Sequence, residues 1–368
     1  MKKVLILTTS TGQGHNQAAN SLIDTFSLEE FQCIRQDFLK SNSKFLNNAF
    51  VKGYEISATK LPSAYGWFYR LTDRKLTNKL LNIIFYFTSR KMLKLIKMEK
   101  PDIIIGTHPL TVNILTMLKR KGMNIPFISV VTDFKAHYTY VNPLVDAYIT
   151  ASEFTKKSLI DRGIDRNIIY PFGIPISEHF FHKDDNIPLI KDANYLSLLL
   201  MSGSMGLTNI SFVLDELLKN KNNLRITVVC GNNHNLENEL LKKCSENTYK
   251  NKKIHIIGFS HDIASLMEYS DVIISKPGGL TVSEAIVKNL PLIIPFAIPG
   301  QEMENTDFLT SNGYAYHVDN LQDINLIINS LIEKPELLKD MKKRLELLSS
   351  TYSLIKIVEI SNSLIHKK

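Results

Sequence analysis

Residues 271–308 read DVIISKPGGLTVSEAIVKNLPLIIPFAIPGQEMENTDF, and this stretch decides the fold. Val272-Ile273-Ile274-Ser275 is a short apolar run of strand type, broken by Lys276-Pro277-Gly278-Gly279. Thr281 stands three residues before Glu284, the spacing of a capping box, which predicts a helix starting at Thr281. Leu290-Pro291 stops that helix, and Leu292-Ile293-Ile294 opens the next strand. In an open α/β sheet, ligands bind outside the carboxyl ends of the strands. The glycines with Glu284, and the polar run Gln301–Asn305, are therefore expected on a ligand-binding edge.

The same grammar repeats upstream. Leu196–Met201 is a strand running into Ser202-Gly203-Ser204-Met205-Gly206, whose small residues suit a backbone cradle for a diphosphate. Leu224–Cys230 and Lys253–Ile257 are strands ending in Gly231 and in Gly258-Phe259-Ser260. At the start of the chain, Val4–Leu7 enters a glycine loop, Thr8–His15, and then an apolar helix; such a loop brings backbone N–H groups to a ligand beside the positive end of the helix. Further strands end at Gly106-Thr107-His108 and at Thr132-Asp133-Phe134, with His137, Tyr138 and Tyr140 beyond. A parallel sheet would place His15, His108, Asp133 and His137 on one edge. Residues 341–365 have helical period.

A chain of 368 residues exceeds one ordinary core, so two domains are expected. With 44% apolar and 22% charged residues it is ordinary globular material. Cys33, Cys230 and Cys244 are odd in number and lack CxxC or zinc spacing, which fits a reduced, cytosolic setting. The short apolar core after Met1-Lys2-Lys3 predicts a buried strand rather than a signal peptide. No apolar run approaches the roughly 18 residues of a membrane span. The net charge is +8, yet residues 44–100 hold twelve Lys/Arg against Glu55, Asp73 and Glu99, so the remainder is near neutral. This basic segment also holds the aromatic cluster Tyr65–Arg70 and the cationic helix face of Arg90, Lys91, Lys94 and Lys97. It suits an anionic membrane surface; no RNA-binding motif accompanies it, and nucleic acid is not expected. A dinucleotide fingerprint would need glycine at position 17, where Gln17 stands, although Asp37 falls at a ribose-binding distance; an NAD(P)-linked Rossmann enzyme is the competing class.

The set TSTGQGHNQAA, VVTDFKAHYTY, PFGIPI, MSGSMG and SKPGGLTVSEA…IPGQEMEN resembles glycosyltransferase family 28 over nearly the whole chain. It is most similar to the monogalactosyldiacylglycerol synthases and processive diacylglycerol glucosyltransferases. The resemblance implies an α/β protein of GT-B fold, two Rossmann-like domains facing across a cleft. The expected segments are 1–172 for the acceptor and membrane, 173–345 for the UDP-sugar, and 346–368 as a helix packing back on the first domain. It implies inverting hexose transfer from UDP-glucose or UDP-galactose to diacylglycerol or a glycosyl-diacylglycerol, peripheral to the inner face of the cell membrane, with no cofactor and no obligatory metal. Gly203, Ser204 and Gly206 match one diphosphate loop; Gly278, Gly279 and Thr281 match the other. Phe259 and Ser260 match the uracil-contacting segment, Glu284 the ribose acceptor, and Gln301, Glu302 and Asn305 the sugar- and phosphate-reading loop. Asp133 is expected as general base with His15 positioning sugar or acceptor, the two roles being interchangeable; Gly14, His108, His137 and Tyr140 are expected on the acceptor side. Tyr138 and Tyr140 stand where the family has Trp, and Glu302 stands where the related peptidoglycan-precursor transferase has Gln, which favours hexose over N-acetylhexosamine. Transfer of N-acetylglucosamine to another lipid, or a UDP-sugar epimerase or hydrolase, are the alternatives on the same fold.

Overall fold

The computed structural model describes residues 1–9, 13–38, 40, 62–74, 86–183, 192, 194–201, 209–247 and 249–367. The loop with Gly203, Ser204 and Gly206, and residues 44–61 and 75–85 of the basic segment, lie outside them. The chain forms two compact units. The first comprises Met1–Glu178, Ile298–Asn305 and Thr351–Lys368; the second comprises His179–Ala297 and Thr306–Ser350.

The first unit runs β1 (Lys3–Thr8), α1 (Gln13–Leu28), β2 (Gln32–Asp37), α2 (Pro62–Thr72), α3 (Tyr86–Glu99), β3 (Ile103–Gly106), α4 (Pro109–Lys119), β4 (Phe127–Val130), β5 (Ala147–Ile149), α5 (Glu153–Ile160) and β6 (Ile169–Tyr170). Its six strands are parallel in the order β2-β1-β3-β4-β5-β6. Alternation along β1 divides the core. Val4 and Ile6 face Leu22 and Phe26 of α1, whereas Leu5 and Leu7 face Met92, Ile96 and Leu115. Burial on both faces is why these strands read as unbroken apolar runs. Gly106 ends β3 where any side chain would collide with Thr111.

The second unit runs β7 (Leu196–Met201), α6 (Asn209–Leu218), β8 (Leu224–Val229), α7 (His234–Ser245), β9 (Lys252–Ile257), α8 (Ile263–Tyr269), β10 (Val272–Ser275), α9 (Gly279–Val287) and β11 (Leu292–Ile294). It continues, after α10 (Gln301–Ser311), with β12 (Ala315–His317), α11 (Ile324–Glu333) and α12 (Pro335–Ser349). Its parallel order is β12-β11-β10-β7-β8-β9. Each sheet reverses its direction of growth once, between β1 and β3 in the first and between β7 and β10 in the second. Such switch points are where doubly wound sheets bind ligands.

Three expectations change. The helix at 279 starts two residues before Thr281: Gly278 is its N-cap and no side chain caps it. Thr281 is thus inside the first turn, and there is no capping box. The predicted helix over 341–365 is two helices, α12 and α13 (Leu354–His366), because Tyr352 packs its ring on Gly173 (φ 88°) and Ser353 N donates to Phe172 O at 2.9 Å. α13 then lays Ile357 and Val358 into the core beside β1. Finally, Ile298–Asn305 packs with the first unit, not within an unbroken second domain.

Candidate active site

At the switch point of the first sheet, the chain leaves β1 into α1. Gln13 opens the helix, so Gly14 lies in its first turn and His15 projects from that turn. β3 ends beside it, and its Thr107 carbonyl lies 2.7 Å from His15 Nδ1. A carbonyl only accepts, so Nδ1 carries the proton and Nε2 is left as an acceptor. Burial lowers the pKa of His15 from 6.5 to about 4, against the opposing pull of Thr107, and holds the ring neutral. Thr132 Oγ1 sits 3.2 Å from the same Nδ1 and 3.1 Å from the Tyr140 hydroxyl.

His108 is the N-cap of α4, its Nδ1 accepting from Leu110 N at 3.2 Å. Its ring meets His15 edge-on with centroids 4.5 Å apart. Burial first, and the neighbouring imidazole second, push its pKa well down. His108 is thus a buried wall of the His15 pocket. Tyr140 is 1% exposed, so its expected place on the acceptor side does not hold: it acts from inside the core, through Thr132. His137 is likewise committed internally. Its Nδ1 accepts from Thr139 N, its Nε2 donates to Tyr69 O at 3.2 Å, and Asp73 lies beside it, itself held by Arg162.

Asp133 follows Thr132 at the end of β4. Gln301 donates its side-chain amide to Asp133 Oδ1, and the other oxygen has no partner among the described residues. Burial raises the Asp133 pKa to about 7, Gln301 opposing and the Glu304 and Glu302 carboxylates assisting. Residues 133–135 are gripped one by one. Phe134 N donates to Asn305 Oδ1 at 3.0 Å, and Lys135 Nζ pairs with Glu304 Oε1 at 2.7 Å. Glu304 also accepts from the Tyr69 hydroxyl at 2.9 Å, and Glu302 accepts from Ile298 N at 2.9 Å. Asn305 is fully buried and holds Phe134, and Glu302 is 6% exposed and braces its own turn, so neither side chain is open to a sugar. Thr107, Thr132, Lys135 and Glu304 were not expected at the site, and Tyr69 was read only as part of the aromatic cluster Tyr65–Arg70. Thr107 and Thr132 were legible as hydroxyl residues directly before His108 and Asp133; the other three needed the folded chain.

In the second unit, β10 delivers Gly278 and Gly279 at that sheet's switch point. A Cβ on Gly278 would meet nothing within 4 Å, so space lies open before the uncapped N-terminus of α9. The N–H groups and dipole of a helix N-terminus suit an anion. Glu284, further along α9, has no partner among the described residues, and burial alone raises its pKa to about 8. Glu284 is half-buried, and a carboxyl without a partner in such a place is a candidate functional group. Phe259 is 54% exposed, edge-on to His261 at 4.8 Å, at the end of β9. Ser260 accepts from Asp262 N at 3.1 Å and so opens the turn into α8. Among the described residues no group of three His, Cys, Asp or Glu side chains is arranged to hold a metal, and no helix is long and apolar enough to cross a membrane.

Two family models match this chain in succession. Residues 15–176 match the model of monogalactosyldiacylglycerol synthase, and residues 197–358 match the glycosyltransferase family 28 C-terminal domain. The chain is 32% identical to the processive diacylglycerol beta-glucosyltransferase of Bacillus licheniformis, covering 100% of this chain and 97% of that one. It is 31% identical to the Bacillus subtilis protein of the same name, covering 94% and 91%. Among solved structures it is similar to Acinetobacter baumannii MurG (TM-score 0.67, 15% identity, 99% and 100% covered). It is also similar to Staphylococcus aureus MnaA with UDP (TM-score 0.60, 16% identity, 97% and 95% covered). The structural matches show the GT-B fold. Full-length identity and both family models together establish that this chain belongs to the family 28 glycosyltransferases, with the monogalactosyldiacylglycerol synthases and processive diacylglycerol glucosyltransferases.

Proposed function

We propose that the protein transfers a hexose from UDP-glucose or UDP-galactose to diacylglycerol, or to a glycosyl-diacylglycerol, with inversion at the anomeric carbon. The observation that carries this is the end-to-end 32% identity to a processive diacylglycerol beta-glucosyltransferase, joined to a buried carboxyl and a neutral imidazole at the first sheet's switch point. The free oxygen of Asp133 takes the proton of the acceptor hydroxyl as that oxygen attacks the anomeric carbon. The bond from that carbon to UDP breaks, and UDP leaves with the electron pair. His15 Nε2 accepts from a further hydroxyl and so orients the sugar or acceptor. A base is most effective when its pKa lies near the working pH, and about 7 for Asp133 suits the task better than about 4 for His15.

In the second unit, the N-terminus of α9 at Gly278 and Gly279 stabilises the charge that gathers on the departing diphosphate. Glu284 accepts from the ribose hydroxyls, and Phe259 and Ser260 border the uracil. Gln301 reads the sugar while fixing Asp133. The transfer is proposed to need no divalent cation. On the first unit, Trp67 and Phe68 of α2 are 62% and 57% exposed, and Arg90, Lys91, Lys94 and Lys97 of α3 are exposed. The exposed aromatics of α2 and the exposed cations of α3 are each assigned to an anionic membrane, reached peripherally from its inner face. The test is labelled UDP-glucose or UDP-galactose with diacylglycerol vesicles, the product identified by mass. Lipid-extractable glycosyl-diacylglycerol is expected; donor turnover without lipid product would favour an epimerase or hydrolase and overturn the assignment.

A further inference from the structure

α2 is a helix with two unlike faces. Gly66 and Tyr69 are three residues apart and therefore share one side, while Trp67 and Phe68 point the opposite way. The inner side rests on the turn Ile298–Asn305. A Cβ at Gly66 would stand 2.7 Å from the Pro299 Cβ, so glycine is what admits this approach. The Tyr69 ring lies against Gly300 (φ 101°), where a Cβ would meet it at 3.0 Å, and its hydroxyl reaches Glu304. The far end of α2 is fastened too: Tyr69 O accepts from His137 Nε2, and Asp73 accepts from Tyr138 N at 2.7 Å and from Arg162. The turn so held contains Gln301, Glu304 and Asn305, the three residues that grip Asp133, Lys135 and Phe134.

We propose that Gly66 and Tyr69 are positioning residues for the transfer: through the Pro299–Glu304 turn they set where the Asp133 carboxyl stands, while Trp67 and Phe68 on the other face serve only surface attachment. The inference rests on Asp133 being the base. Neither Gly66 nor Tyr69 touches the reacting atoms. A Tyr hydroxyl on one carboxylate oxygen and an ammonium on the other leave Glu304 few alternative rotamers, and Gln301, one helical turn before it, inherits that placement. Loss of the hydroxyl frees Glu304, and with it the register of Gln301 against Asp133. Small displacements of a base cost rate without costing affinity for the UDP moiety.

The test uses the full chain and separates the two faces of one helix. Four variants, Tyr69→Phe, Glu304→Gln, their double, and Trp67→Ser with Phe68→Ser, are compared for kcat, UDP-sugar KM, UDP affinity, vesicle co-sedimentation with phosphatidylglycerol vesicles, and thermal midpoint. Tyr69→Phe is expected to lower kcat by about tenfold or more with UDP affinity and vesicle binding within about twofold. The double variant is expected to lose no more than the worse single one, as residues acting in one chain do. Trp67→Ser with Phe68→Ser is expected to do the reverse, weakening vesicle binding while sparing kcat at saturating surface. Asp133→Asn is measured alongside. If it retains kcat, the base assignment itself fails. If it loses kcat while Tyr69→Phe keeps it, or if Tyr69→Phe and Glu304→Gln add fully, the positioning role is overturned and the base assignment stands. A variant that unfolds is replaced by Gly66→Ala, which keeps every polar group and displaces only Pro299; unchanged kcat there overturns the proposal as well.

Discussion

His15 donates its Nδ1 hydrogen to the carbonyl oxygen of Thr107, 2.7 Å away, just past the paired ends of β1 and β3. That bond selects one tautomer, so the ring offers a lone pair at Nε2 and nothing else. His15→Ala is expected to cut kcat by about 10²-fold or more, in the range of a positioned proton-handling side chain. His15→Asn keeps only a short amide and is expected to recover little. Steady-state kinetics at saturating donor check this; a change confined to donor KM would place His15 elsewhere in the reaction.

The pH dependence separates the two candidate bases. A base must be unprotonated, so activity falls as pH drops through its pKa. With Asp133 as base, kcat/KM is expected to fall below pH about 7; with His15 as base the limb would lie near 4. The pH–rate profile decides between them.

Asp133 also has a stability signature. Its folded pKa is raised from 3.8 to about 7, so the folded state holds a proton that the unfolded chain releases. The stability this brings is full below pH about 3.8 and is lost as pH rises through about 7. Asp133→Asn removes the buried charge. The variant's thermal midpoint is therefore expected to gain on wild type across that window and to hold the gain above it, while turnover is lost. Thermal scans from pH 4 to 8 give the answer.

Glu284 is predicted to couple donor binding to proton release. Burial raises its pKa to about 8 in the free protein, and ribose hydroxyls that donate to the carboxylate lower it on binding. UDP affinity should then rise with pH, by at most about tenfold per unit, and level off above pH 8. Calorimetry in buffers of different ionisation heat should register the released proton. Glu284→Ala should weaken UDP by about 1.5–3 kcal/mol and flatten the pH dependence. Unchanged affinity would remove Glu284 from the donor site.

Charge reversal of Arg90, Lys91 and Lys94 on α3 should weaken binding to anionic vesicles, each charge contributing about 1 kcal/mol at the surface. Added salt should act in the same direction. Turnover in the presence of EDTA should equal that without it. Vesicle binding that ignores both charge and salt would move the attachment to the aromatic face of α2 alone.

What the sequence made legible was periodic or local. Apolar runs ending in Gly or Thr located both sheets, and the position of His15, His108 and Asp133 just past strand ends foretold their shared edge. What it hid depends on partners far away in the chain. Gln301, Glu302 and Asn305 read as a polar loop open to a sugar, yet Asn305 is spent on Phe134 N and Glu302 on Ile298 N, since buried amides must find acceptors. Tyr140 read as an accessible aromatic, but its ring fills the core under Thr132. The helical period over 341–365 gave no hint of the break at Tyr352, because its cause is Gly173, some 180 positions earlier.

The placement of α13 bears on how the chain is made. β1 is synthesised about 350 residues before Ile357 and Val358, which close its core. At about 5–20 residues per second, the gap is on the order of 20–70 s. The second unit has all of its residues once Ser350 is joined, so it can finish first. Until then, Val4, Ile6 and Leu22 wait without their cover, and nascent chains stalled before residue 357 are the species in which aggregation should concentrate.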